Sequence, residues 1–259
     1  MALSVSELAD LKRAKMTLEH PGLAARFAAI LGSPIEKGMK LLPAPVQKTV
    51  HKATEAALMK ALDVAVFTLG DKPRFTGRRF HTAAAAATGA AGGFFGAAAL
   101  TIELPISTGL ILRSIADIAA SEGEDPRHLD TRLACMSVFA LGSSKDARDN
   151  AAESSYFAAR IALAKAVTEA SRHFAQKGVA KAGTPALVRL VALISSRFGI
   201  VVSEKAAAQA IPILGAAGGA LINTIFIGHY QDMARGHFIV RRLEKIHGEE
   251  PVRIAYERL

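Results

Sequence analysis

The sequence predicts an all-α protein, a multi-helix bundle built around two central Gly/Ala-rich apolar helices. Three observations carry that reading. First, 51% of the 259 residues are hydrophobic, yet there are only 12 Phe, 3 Tyr and no Trp. Alanine supplies much of the apolar share; it is the best helix former and is depleted in strands. Second, runs of strict apolar–polar alternation with β-branched residues are almost absent. Third, one small-residue cassette occurs twice, as Gly89-Ala90-Ala91-Gly92-Gly93 and as Gly215-Ala216-Ala217-Gly218-Gly219, each inside a long uncharged stretch. Small residues four apart let helix backbones approach closely. Gly89, Gly92, Gly93, Gly96, Gly215, Gly218 and Gly219 are therefore candidate helix-packing positions. The cassettes lie 126 residues apart, about half the chain, which raises an internal pseudo-duplication as an expectation.

The elements follow in order. Residues 5–20 read as an amphipathic helix closed by Pro21-Gly22, and residues 23–32 as a short apolar helix ending at Gly32. A helix over 34–42 stops before Pro43 and Pro45. From Val46 to Leu69 apolar residues recur at helical spacing (Val50, Ala53, Ala57, Leu58, Ala61, Leu62, Ala65) until Gly70 ends the run. Residues 71–78 form a basic loop. The first uncharged stretch, Thr82 to Ile102, runs into Glu103-Leu104-Pro105, where proline predicts a kink or break. A helix then continues to about Ser121, and the polar loop Glu122 to Pro126 follows. Residues 128–141 make a helix stopped by Gly142, and a long helix spans about Tyr156 to Gln176. Helix resumes from Ala186 to Ser196 with an interruption at Gly199. The last element runs from Pro212 or Ile213 to Ile246, apolar to Gly228 and charged beyond, with Gly248 as its stop.

The length suits one domain over 1–259; a division into halves 1–176 and 186–259 would place the linker at 177–185, KGVAKAGTP. The single cysteine, Cys135, rules out an internal disulfide and suggests a reducing compartment. The N-terminal residues mix acids and bases without an apolar core, so no cleaved secretory signal is expected.

A net charge of +9 invites a nucleic-acid reading. The densest basic patch is Lys72, Arg74, Arg78 and Arg79, with Phe75 and Phe80 interleaved and His81 beside them. No nucleic-acid fold signature accompanies it, which favours an anionic membrane surface as partner. The two uncharged stretches, Thr82–Ile102 with 21 residues and Ala206–Gly228 with 23, are each long enough to cross a bilayer. Ala, Gly and Thr insert weakly, however, and Gln209, Pro212 and Asn223 weaken the second stretch. A bundle that is peripherally attached comes first, with partial insertion as the alternative.

Chemistry-bearing positions are few. Glu103 is the sole charge between His81 and Arg113, and a carboxylate in that setting needs a partner such as Arg113, Arg160 or Arg241. On the last helix, Tyr230, His237, Arg241 and Glu244 fall at i, i+7, i+11 and i+14, one stripe. Asn223, His229, Asp232 and Arg242 flank it. His229 and Asp232 have chelating spacing, but no His-Glu-x-x-His or cysteine cluster supports a metal, and no cofactor is expected. Nucleophile elbow, Walker loop and dinucleotide fingerprint are all absent from the sequence. The enzymatic alternative is a hydrolase with Glu103 as acid/base beside His237 and Arg241.

The combination Gly89 to Gly96, Glu103-Leu-Pro105, Leu112 to Ala119, Glu122-Gly123 and Phe139 to Gly142 resembles the EcsC protein family. Tyr156-Phe157 with Arg160, Gly215–Gly219 with Asn223 and Phe226, His237-Phe238, Arg241 to Glu244 and Gly248 extend the likeness. The resemblance spans about Pro21 to Tyr256. It implies a bacterial protein of a family named from a gene beside an ABC transporter, and it implies no reaction. It marks Glu103, Pro105, Arg113, Tyr156, Arg160, Asn223, His237, Arg241 and Glu244 as motif positions. The expectation is a non-enzymatic accessory protein of the cytoplasm, peripheral to or partly inserted in the inner membrane. A membrane transporter or a second copy of the chain are further candidate partners, the latter making a soluble oligomeric scaffold.

Overall fold

A computed structural model describes residues 3–19, 22–31, 44–67, 69, 77–92, 100–142, 155–177, 184–210 and 215–259. Among the described residues every regular element is helical and none is a strand. The helices are α1 (Val5–Glu19), α2 (Leu23–Leu31), α3 (Ala44–Phe67), α4 (Gly77–Gly92) and α5 (Leu100–Ser121), then α6 (Leu129–Ser137) with a 3-10 turn at Val138–Ala140. The remainder are α7 (Ser155–Lys177), α8 (Pro185–Ala210), α9 (Gly215–His247) and α10 (Glu249–Arg258). The expected helix over 34–42, the loop carrying Lys72, Arg74 and Phe75, and the residues 178–183 of the expected linker lie outside the described residues.

The bundle is organised around α9. Between Phe226 and Val240 Arg235 alone is exposed, so this segment is covered on every side, as a helix at the centre of a core must be. It packs most extensively against α4, then against α1 and α5, with α2, α8 and α10 completing its surroundings. A second layer pairs α3 with α5 and α8. The core is continuous from Leu11 in α1 to Tyr256 in α10. Buried apolar area of this kind is the main force holding the helices together, at about 25 cal/mol per Å². An aromatic cluster sits in its middle, with Phe139 packed on Phe198 at 5.1 Å and on Tyr230 at 5.3 Å, and Phe226 on Tyr230 at 5.4 Å.

Several expectations are corrected. Pro105 does not break its helix: α5 runs through it to Ser121, because it stands in the second turn and the buried Leu104, Ile111 and Leu112 hold the segment in place. Gly199 likewise fails to interrupt α8, whose buried face continues from Phe198 through Val201 and Val202. Neither uncharged stretch forms one helix. Thr82–Ile102 is shared between α4 and α5, and Ala206–Gly228 between α8 and α9, so each stretch is divided between two helices. Among the described residues the helix long and apolar enough to cross a membrane is instead α8, with mean hydropathy 1.8 over a window that is 44% buried. Helix α10 has no counterpart in the sequence reading; Gly248 ends α9 with φ +89° and the chain turns straight into it.

Candidate functional site

The four helix ends created by dividing the uncharged stretches come together. Gly89 near the end of α4 packs so closely on α9 that a Cβ there would collide with the carbonyl oxygen of Gly219, and would lie 2.7 Å from the Asn223 Cβ. The two glycine cassettes therefore touch each other, and the small residues set the spacing of α4 and α9. Asn223 donates from Nδ2 to the Ala85 carbonyl at 3.0 Å, tying the same two helices. Gly92, Gly215 and Gly218 lie in these end turns too, with Gly218 and Gly219 buried, whereas Gly93 and Gly96 fall outside the described residues.

Glu103, in the first turn of α5, is 4% exposed. Its partner is Lys205 of α8, fully buried, whose Nζ donates to Oε1 at 2.6 Å. Gln209 donates to the other oxygen at 3.0 Å, and Asn223 stands close by. The Lys205 ammonium also sits 4.5 Å from the centre of the Phe226 ring. None of Arg113, Arg160 and Arg241 is the counter-ion: Arg113 is exposed on α5, and the other two are held elsewhere.

That second place lies further along α9. Asn223 and His237 are 14 residues apart on one helix, about 21 Å along its axis. The structure therefore separates Glu103 from His237, and the pairing required by the hydrolase alternative does not form. What gathers around His237 is a different set. Arg160 of α7 makes a two-pronged bond to Glu244, at 2.6 and 2.9 Å. Arg241 reaches Glu124 through Nε at 3.0 Å, and Lys245 reaches the same carboxylate at 2.9 Å. Thr131 donates to Glu124 as well. Tyr156 OH lies 2.9 Å from His237 Nδ1, and its ring stacks on Tyr256.

The charge states follow from burial and partners. Burial alone would raise Glu124, but its bonds to Lys245 and Arg241 outweigh that and hold it below the usual carboxylate range. Burial pushes the Tyr156 phenol far up, and burial with two nearby arginines keeps His237 well below its ordinary value, hence neutral. Arg160 can only donate to Tyr156, from 3.5 Å, so the phenol proton goes to His237 Nδ1. The imidazole proton is then on Nε2, which is buried and has no partner among the described residues.

The other expected residues make contacts of their own, apart from His237. Tyr230 belongs to the aromatic cluster, away from His237. His229 is enclosed against Gly142, which adopts φ +72° and has no room for a side chain beside the His229 ring. Burial, with Arg26 nearby, lowers His229 to about 3. Asp232 pairs with Arg26 at 2.9 Å instead of joining His229 on a metal, and no group of three His, Cys, Asp or Glu among the described residues is placed to hold one. Arg242 bridges Asp10 at 2.7 Å and Glu122 at 3.2 Å. In the basic patch His81 is buried and bonded to Asp117, while Phe80 is exposed. Sequence reasoning missed Lys205, Gln209 and Glu124. A signal for Lys205 was present: Glu103 closes the first uncharged stretch and Lys205 opens the second, so the two charges bracketing the apolar segments are natural partners.

No curated protein and no solved structure matches this chain. The profile of the EcsC protein family matches residues 71–243, a span that takes in Glu103, Tyr156, Arg160, Lys205, Asn223, His237 and Arg241. With two thirds of its length matched, the chain belongs to the EcsC protein family.

Proposed function

We propose that this EcsC protein is a non-enzymatic, membrane-associated accessory protein that meets the cytoplasmic face of the bacterial inner membrane with one end of its bundle. The observation that carries this reading is the convergence of both uncharged stretches on that end. The last turns of α4 and α8 and the first turns of α5 and α9 lie side by side there, and the charges bracketing them, Glu103 and Lys205, neutralise each other in the interior. Ile102 is 73% exposed, Ile106 50% and Leu221 39%, so branched apolar side chains stand on the surface of this end. A lipid interface is the environment in which such a surface is stable. The net charge of +9 adds attraction to anionic headgroups, and α8 has the length and hydropathy of a membrane helix.

Fractionation of expressed protein, with a high-salt wash of the membrane pellet followed by detergent, tests this. Membrane recovery that resists salt is expected for insertion of the uncharged end, and release by salt for surface attachment alone. The double variant Ile102→Glu, Ile106→Glu changes exposed positions and is expected to move the protein to the soluble fraction. Wild-type protein found wholly in the cytosol, and ignoring vesicles of anionic lipid at low salt, would remove the reading.

A further inference from the structure

The cluster around His237 takes no part in the membrane end, which lies about 21 Å away along α9. It forms the floor of a cavity of about 570 Å³ between α6, α7, α9 and α10, within the range typical of small-molecule sites. His237, Arg160, Arg241 and Glu244 line the floor, and Asp130, Glu249, Glu250 and Arg253 line the remaining wall.

Two features make this more than a dent between helices. His237 is 3% exposed, and its Nε2–H has no acceptor among the described residues. A buried donor without a partner is costly, and an acceptor at the floor would satisfy it. His237 lines the cavity and Tyr156, which holds its Nδ1 edge, does not, while Nε2 itself lies beneath the surface of the floor. Beside it, Arg241 is bound among the described residues through Nε alone and keeps its terminal nitrogens for another acceptor; its side chain is 25% exposed and has freedom to yield. The floor therefore offers donors to an oxyanion. The wall has the opposite character. Glu249 has no ion-pair partner among the described residues, Asp130 receives a hydroxyl from Ser171, and Arg253 lies 3.9 Å from Glu250 and 3.4 Å from Glu257. Three carboxylates against one guanidinium repel polyanions such as nucleotides and attract a cation.

We infer that this cavity binds a small zwitterion, a carboxylate or phosphate tethered to an ammonium, with the oxyanion against His237 Nε2 and Arg241 and the ammonium toward Glu249 and Asp130. Such chemistry is found both in free metabolites and in ethanolamine lipid headgroups. The fixed bonds Arg160–Glu244 and Tyr156–His237 hold the floor in place before the ligand arrives, which lowers the ordering cost of binding.

The test is titration of the full chain with phosphoethanolamine and with γ-aminobutyrate, followed by calorimetry and by the imidazole ¹⁵N resonances. Inorganic phosphate, acetate and ethanolamine serve as the separated halves. At least one zwitterion is expected to bind ten-fold or more tightly than its own halves and to shift the His237 Nε2 resonance. His237→Phe should abolish that preference. Because it leaves the Tyr156 phenol without its acceptor and can disturb folding, the wall variant Glu249→Gln gives a second reading: it should weaken zwitterion binding several-fold and leave phosphate binding unchanged or tighter. Vesicles containing phosphatidylethanolamine that compete with the free probe would identify the lipid source, and failure to compete a soluble one. Absence of binding by both zwitterions at 10 mM, or binding equal to that of the halves, would overturn the inference.

Discussion

Glu103 of α5 and Lys205 of α8 form a salt bridge of 2.6 Å in the interior, 102 residues apart in sequence, with neither side chain more than 4% exposed. Taking two charges out of water is expensive, and their attraction offsets the cost only while both are present. Lys205→Met should therefore destabilise the protein by about 3–5 kcal/mol, since it leaves a buried carboxylate alone. The double variant Lys205→Met, Glu103→Leu should recover most of that loss. Urea unfolding of the three proteins decides the matter: a double variant no more stable than the single one would show that the pair has a role beyond mutual neutralisation.

Glycine substitutions should divide by location. Gly89→Ala drives a methyl into the Gly219 carbonyl and the Asn223 side chain, both on a helix that cannot withdraw from the core, so a loss above about 2 kcal/mol is expected. Gly109→Ala and Gly199→Ala meet nothing within 4 Å and lie inside helices, where alanine is favoured by roughly 0.5–1 kcal/mol. Thermal melts should move down for the first and up for the other two.

Acid should weaken the fold through its buried histidines. His229 is lowered to about 3 by burial and Arg26, and His237 also lies well below the ordinary value. An unfolded chain takes up these protons near pH 6.5, whereas the folded one does not. Stability from each ring is thus fully present above that pH and declines as pH falls toward the folded value, with a slope of up to about 1.4 kcal/mol per pH unit per histidine. Urea midpoints between pH 7.5 and 4.5 should fall accordingly, and His229→Gln should flatten the dependence if it folds with comparable stability at neutral pH.

The Arg160–Glu244 bond is two-pronged and carries the guanidinium 5.5 Å from the Tyr156 ring. Lysine keeps the charge but loses the second prong and the planar stacking. Arg160→Lys is expected to cost about 1–2 kcal/mol, read as a lowered urea midpoint with unchanged helical signal.

Much of the fold was legible because helix signals are local. The run from Val50 to Ala65, the stop at Gly142 and the long last helix can be read from spacing and punctuation alone. Pro105 and Gly199 misled because their breaking tendency is a local preference of about 1–3 kcal/mol, which tertiary burial on both sides overrides. The candidate site was legible only in part. The stripe on α9 joined Tyr230, His237, Arg241 and Glu244; the last three line one cavity, whereas Tyr230 packs in the aromatic cluster. Their partners Tyr156 and Arg160 come from α7 and Glu124 from the loop between α5 and α6, and nothing in sequence spacing sets which elements meet. Glu103 was rightly singled out as a buried charge, while its partner depends on how α5 lies against α8.

The position of α9 also governs when the protein can fold as it leaves the ribosome. Helices α1, α2, α4 and α5 all rest on residues 215–247, so although α5 can pair earlier with α3 and α4, the faces these helices turn to α9 have nothing to close against until residue 247 has been made. At roughly 5–20 residues per second, the uncharged segment ending at Ile102 emerges roughly seven to thirty seconds before its cover is complete. During that interval its Ala- and Gly-rich surface is available to chaperones or to a nearby bilayer. The order of synthesis gives lipid a chance to meet this segment before the protein's own last long helix does.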